Sequence, residues 1–420
     1  MFNSGAFNSS GFNSTSDAGS GGGGITPTFV SIAKPCWYPS PVGDILETLQ
    51  WKTDVIQTFA NEQRFALRSN PRRKLKYKHT LNSVDVFNVR ELLKSEELLF
   101  PVWTNPLWSG TLAVTTFPVV TSASAASQLS VGDYVFVFNT VPGGFPSYGV
   151  AAVTAILGND ITLDANGIGD PVDIYPCLNC TTLSEHSITR HLKKAMSLEV
   201  TGVSKVGKSL TTANINTLET YKGLPIIRQA NCTSLGNTEE SYISGIELLD
   251  NSISLLEAAT IRSLDRHLLP VSWFPREEAK YQEILTLLQY CKGQWKPFWL
   301  PDHLDGFRVL TNLVSGYTTI KVAAPNNVHI VKEAPFTLEV GMLANATQLR
   351  VVAVNIAPNL AGVPAYEFEL ETPLTVNVAK EEIKSLSYLH CVRLASDQIE
   401  ILHLLYGGKR ISTNVLEVPL

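Results

Sequence analysis

Charge is scarce in this 420-residue chain: Asp, Glu, Lys and Arg make up 17% of it, against 44% apolar residues. Soluble domains usually carry about a quarter charged residues. So few ionic groups leave less polar material for a free surface, and partner subunits are expected to cover some of it. The formal net charge is -5, without the overall basic field that displaces counterions from phosphates, so nucleic acid is not an expected partner. No apolar run reaches the roughly 18 residues that a bilayer demands. The first residues also lack the charged and apolar regions of a secretory leader, so neither membrane insertion nor export is expected. Six cysteines (Cys36, Cys177, Cys180, Cys232, Cys291, Cys391) are too few in so long a chain for a disulfide framework. A reducing cytoplasm suits them.

Catalytic signatures are missing as well. There is no Gly-x-Ser-x-Gly, no His-Glu-x-x-His and no phosphate-cradling glycine loop between a strand and a helix. Paired carboxylates such as Glu96-Glu97, Glu239-Glu240, Glu277-Glu278 and Glu381-Glu382 are sequence neighbours, as on solvated faces and helix starts. One spacing suggests a metal: Cys177-x-x-Cys180 followed by His186 and His191 offers four zinc ligands within 15 residues. The competing reading, which is preferred, makes them structural, with the cysteines beside a turn and the histidines on returning strands. No cofactor and no enzymatic activity are expected.

What the chain does contain is patterned. Residues 1–30 form a Gly-, Ser- and Asn-rich arm with Phe-Asn-Ser at Phe2, Phe7 and Phe12, which cannot fold alone but offers small apolar anchors. Lys74, Lys76 and Lys78 alternate with Leu75, Tyr77 and His79, the period of a strand with one wet face. Beyond Trp37 one plan runs twice. Val86, Val89, Leu92, Leu93 and Leu98 recur at helical intervals before Phe100-Pro101-Val102-Trp103. Tyr281, Ile284, Leu285, Leu287 and Leu288 do so before Pro297-Phe298-Trp299.

Short alternating runs follow each phrase. Thr111–Val114 and Thr319–Val322, Val131-Gly132 and Val340-Gly341, and Ile161–Asp164 and Phe368–Glu371 appear in the same order. Gly158-Asn159 and Gly407-Gly408 read as hairpin turns. The expected fold is mainly β (α+β), with duplicated strand-helix units, each followed by an inserted small antiparallel β-barrel or sandwich. The divisions are 1–30 (arm), 31–109 (first unit), 110–176 (first β module), 177–312 (return strands and second unit), 313–380 (second β module) and 381–420 (final strands). Trp103 and Trp299, beside proline after a helix, read as core plugs joining helix to sheet.

Thr53-Asp54-Val55-Ile56 through Asn61-Glu62-Gln63-Arg64, then Asn70-Pro71-Arg72-Arg73 and Tyr77, resembles the opening of a family of bacteriophage tail-tip and minor tail structural proteins, the distal tail proteins among them. Tyr221-Lys222-Gly223-Leu224-Pro225-Ile226 and the stretch from Gly293-Gln294-Trp295 to Trp299-Leu300-Pro301 extend the likeness. The second half has no Glu-Gln-Arg phrase, and the Phe-Asn-Ser arm lies outside the pattern. The resemblance implies a virion protein assembled in the bacterial cytoplasm: a distal tail ring, hub or baseplate adaptor, with copies of itself in a six-fold or three-fold ring. Tail tube, hub or fibre proteins would be its neighbours. The alternative is a receptor- or carbohydrate-binding tail module. Glu62 and Arg64 share a strand face, and with Arg72 and Arg73 they are expected to fix a strand joint or a contact between subunits.

Overall fold

The computed structural model describes residues 34–418 except 58–61, 82, 114, 116, 140–147, 165–170, 184–186, 191–195, 212–214, 230–240, 244–245, 250–256, 261–265, 302–306, 324–334, 341–346, 361–362, 376 and 406. The fold is mainly β, in large antiparallel sheets. The first half runs β1 (Ile45–Gln50), β2 (Thr53–Gln57), β3 (Glu62–Ala66), β4 (Arg72–Leu81), α1 (Ser83–Leu92), β5 (Leu98–Pro101), β6 (Trp108–Thr111) and β7 (Val119–Thr121). It continues through α2 (Ala123–Gln128), β8 (Tyr134–Asn139), β9 (Tyr148–Leu157), β10 (Asp160–Asp164), β11 (Pro171–Thr182), β12 (Ser187–Arg190) and β13 (Met196–Ser204). Then come β14 (Thr220–Tyr221), β15 (Leu224–Pro225), β16 (Ser241–Ile243), β17 (Ile246–Leu249), β18 (Glu257–Thr260), β19 (Arg266–Trp273), α3 (Glu278–Cys291) and β20 (Phe298–Pro301). The last strands are β21 (Thr319–Ala323), β22 (Pro335–Val340), β23 (Thr347–Leu360), β24 (Val363–Leu370), β25 (Ile383–Leu394), β26 (Gln398–His403) and β27 (Lys409–Glu417).

The chain divides into two compact units. Unit 1 comprises Met1–Trp51, Arg68–Thr212 and Gln398–Arg410; unit 2 comprises Lys52–Leu67, Ala213–Asp397 and Ile411–Leu420. In unit 1, β1 lies between β26 and β4, β4 pairs with β13, and β13 with β11 and β12. The alternation in β4 works as its composition demands: Leu75, Tyr77, His79 and Leu81 are buried, and Lys78 is exposed. The inner face packs with Val86, Val89 and Leu92 of α1 and with Phe100 and Trp37. The helix ends earlier than the apolar spacing suggests, because Leu98 already belongs to β5.

Strand β11 serves two cores. Its second half pairs with β5, while its first half pairs with β6 and β8. From β8 the sheet continues through β9 and β10 to β7 around Val135, Val137, Val153 and Ile161. Gly158, at φ +64, turns β9 into β10 where a side chain would strain the backbone. Ser122 caps α2 by accepting a hydrogen bond from Ala125 N at 3.2 Å.

In unit 2, β19 lies between β16 and β27, β27 pairs with β25, and β25 with β20 and β22. The sheet continues from β22 through β23 and β24 to β21 around Ile320, Leu338, Val351 and Phe368. Helix α3 buries Tyr281, Ile284, Leu285, Leu287, Leu288 and Cys291, the i, i+3, i+4 stripe of an amphipathic helix. It stops at Lys292 in the left-handed conformation (φ 50), followed by Gly293 at φ 77. Hairpins β2–β3 and β17–β18 each form a two-stranded sheet of their own.

Candidate functional site

The best-defined polar clusters are two buried ion-pair centres, one in each unit, and each secures a segment from the other half of the sequence. In unit 2 that segment is hairpin β2–β3. Period two turns Glu62 and Arg64 to its inner face and Gln63, Phe65 and Leu67 outward. Glu62 Oε1 lies 3.5 Å from Arg64 Nε and 2.7 Å from Nε of Arg393 on β25. Arg393, 3% exposed, also donates from Nη2 to Glu62 Oε2 at 3.1 Å and from Nη1 to Gln294 Oε1 and the Leu394 carbonyl, both at 2.9 Å. Beside it, Asp397 accepts from Thr53 N at 2.5 Å, Thr53 Oγ1 at 2.8 Å and Gln294 N at 3.0 Å.

In unit 1 the segment is β26. Glu47 on β1 is 2% exposed and accepts from Arg73 Nε on β4 at 2.5 Å, while its other oxygen meets His403 Nε2 of β26 at 3.0 Å. Burial alone would raise this carboxyl; the Arg73 charge and the His403 hydrogen bond overcome it and hold the pKa at about 2. Arg72 is exposed on the same strand. The four residues grouped by sequence therefore separate: Glu62 and Arg64 belong to the unit 2 centre and Arg73 to the unit 1 centre.

Further along β4 in unit 1, Trp37 Nε1 donates to His79 Nε2 at 3.0 Å, and His79 Nδ1 lies 3.0 Å from the Ser40 carbonyl. An Nε2 that accepts and an Nδ1 that donates describe one neutral tautomer. Burial lowers the His79 pKa to about 4 despite the Ser40 carbonyl, so at pH 7 the ring is a structural link without charge.

The cysteine pair does not converge. Cys177 and Cys180 both lie inside β11 and not beside a turn, and three positions apart they enter different apolar clusters, Cys177 with Leu99 and Phe136, Cys180 with Leu178 and Phe100. Burial raises both thiols, Cys180 to about 12, which leaves neither as a ready thiolate nucleophile near neutral pH. His186 and His191 lie outside the described residues. Among the described residues no three His, Cys, Asp or Glu side chains gather as a metal site.

Both tryptophans are packed. Trp103 stands against Phe136, Phe138 and Tyr175. Trp299, 1% exposed, donates from Nε1 to the Tyr221 carbonyl at 2.8 Å. Their positions differ, however: Trp299 lies within β20 opposite Cys391, and Trp103 lies beyond the end of β5.

Sequence reasoning missed Glu47, Arg393, Asp397 and His403. Arg393 carried a signal, a lone guanidinium between Val392 and Leu394 in an apolar strand. The chain matches no family model and no curated protein. No described helix is long and apolar enough to cross a membrane.

Proposed function

We propose that this chain is a structural component of a bacteriophage tail, at or near the tail tip as a distal ring, hub or adaptor. On this reading it contains two versions of one strand-helix plan, each with an inserted antiparallel β module, and acts by symmetric assembly rather than catalysis. The observation that carries the reading is a correspondence of strand registers. Leu98↔Cys180 through Pro101↔Cys177 on β5 and β11 becomes Phe298↔Val392 through Pro301↔Leu389 on β20 and β25 when the first strand is moved by 200 positions (98 to 298) and the second by 212 (180 to 392).

The same two-strand test works elsewhere. The shared strand keeps its shift toward its other partner: Cys180↔Ser204 maps onto Val392↔Glu417 with 180 again moved by 212 (to 392) and 204 by 213 (to 417), and hairpins β2–β3 and β17–β18 occupy the same place in the two orders. In the β modules, β11–β8–β9–β10–β7 corresponds to β25–β22–β23–β24–β21, with Ile161↔Val120 mapping onto Phe368↔Ile320. Independent strands have no reason to keep matching partners, whereas a duplicated plan must. The placement in a phage tail comes from the family resemblance of Thr53 to Tyr77. Duplicated β units fit that role because a ring is built from repeated lateral strand contacts. Mass spectrometry of purified particles provides the test. The chain should be present at a fixed copy number, and its absence from particles would defeat the proposal.

A further inference from the structure

Each unit contains one segment from the other half of the sequence. Strand β26 completes unit 1 by pairing along β1, from Ile45↔His403 to Gln50↔Gln398. Hairpin β2–β3 completes unit 2 through Glu62–Arg393 and Thr53–Asp397. Under the repeat proposed above, on which this step rests, β16 is the counterpart of β1 and hairpin β17–β18 that of β2–β3. Strand β12 is the counterpart of β26, and moving it by 213 positions (188 to 401) sets Ile188, packed against the unit 1 core, on the buried Ile401.

These counterparts are not used alike. β1 pairs on both edges, with β4 and β26. Among the described pairings β16 uses one edge, toward β19, β12 one edge, toward β13, and β17–β18 pairs only with itself. Among the described residues the exchange that is complete within the chain is thus left open once at the β16 end and once at the β12 end.

We infer that copies of this chain join head to tail: unit 2 of one copy receives β12 of the next copy on the open edge of β16 and gives its hairpin β17–β18 to that copy's unit 1. The occupant is a second copy because β26, the strand that completes the corresponding edge of β1 inside the chain, has β12 as its counterpart. Such a contact uses different surfaces on the two partners, so it repeats until a ring closes. A two-fold pairing of one edge with itself would fill that edge on both copies and leave the other edge of each unfilled. Register fixes the meeting point. Thr48↔Glu400 of the internal pair corresponds to Ser241 of one copy opposite Ser187 of the next.

Two single variants of the full chain, Ser187→Cys and Ser241→Cys, test this under a mild thiol oxidant, with the wild-type chain as reference for its native cysteines. The mixture should give a disulfide-linked dimer at twice 45.9 kDa, and neither variant alone should exceed the wild type. In the unmodified protein, assembly should slow amide exchange at Ser241–Ile243 and Ser187–Arg190 on the order of tenfold or more. Particles that assemble with neither signal would overturn the head-to-tail joint and leave the assembly reading standing. Equal cross-linking by one variant alone would replace the joint with a two-fold contact. A chain that stays monomeric at every concentration would defeat both readings.

Discussion

The two exchanged segments are held by different means. Strand β26 has a six-pair backbone ladder to β1, to which the His403–Glu47 contact is added. Hairpin β2–β3 has no ladder to any other described strand, and its ties are side-chain ones: Glu62 to Arg393 and Thr53 to Asp397 and the Lys292 carbonyl. A ladder spreads the attachment over many modest bonds, each contributing about 1 kcal/mol net. A buried charged clamp concentrates it, and losing one partner leaves the other charge without compensation. The hairpin is therefore the more vulnerable attachment.

That contrast breaks most easily at Arg393. Arg393→Ala leaves Glu62 buried without its closest guanidinium, and about 3–5 kcal/mol should be lost. Denaturant unfolding measures the loss, and amide exchange should show strands β2 (Thr53–Gln57) and β3 (Glu62–Ala66) opening before β26. Equal opening of both would remove the distinction. Glu47→Gln comes next, at about 2–3 kcal/mol, because the hydrogen-bonding shape survives while the charge facing Arg73 does not.

The same carboxylate should appear in acid. Its folded pKa of about 2 lies below the ordinary glutamate value of 4.5, so its contribution, about 3 kcal/mol, is fully present above pH 4.5 and is lost as pH falls toward 2. Glu47→Gln should flatten the stability profile across that window, and an unchanged slope would contradict the assignment. His79 acts in a higher window. With its folded pKa lowered to about 4 from 6.5, the unfolded chain binds the proton more tightly, so stability is full above pH 6.5 and falls between 6.5 and 4. His79→Gln should remove that part of the slope. The smallest effect belongs to exposed Arg72: Arg72→Ala should change stability by under about 0.5 kcal/mol. A large loss there would restore the single four-residue joint suggested by the sequence.

Period and turn chemistry were legible. The β4 alternation, the α3 stripe and the Gly158 turn are local signals, and each element forms where its residues place it. The proposed duplication was approached in the sequence through imperfect landmarks. The Pro-x-Trp phrase links positions that differ in place, since the proposed match by register is Leu98–Pro101 with Phe298–Pro301, both ending in proline. Under the proposed repeat Thr319 likewise corresponds to Val119 in β7 and not to Thr111, because strand pairing and not dipeptide identity defines equivalence.

The polar centres were half legible. Glu62 and Arg64 share a strand face that parity alone reveals, but Arg393 is 331 positions from Glu62 and His403 is 356 from Glu47. Nothing local announces such partners. The spacing of Cys177 and Cys180 resembled a metal motif because sequence distance hides the alternation that sends the two side chains into separate cores.

The most direct test of assembly at the tail tip is a three-dimensional reconstruction of an intact particle. The account predicts this chain in a closed ring at that position, with β12 of each copy lying along β16 of its neighbour. A tail tip without this chain, or with isolated copies that share no strand edge, would contradict it.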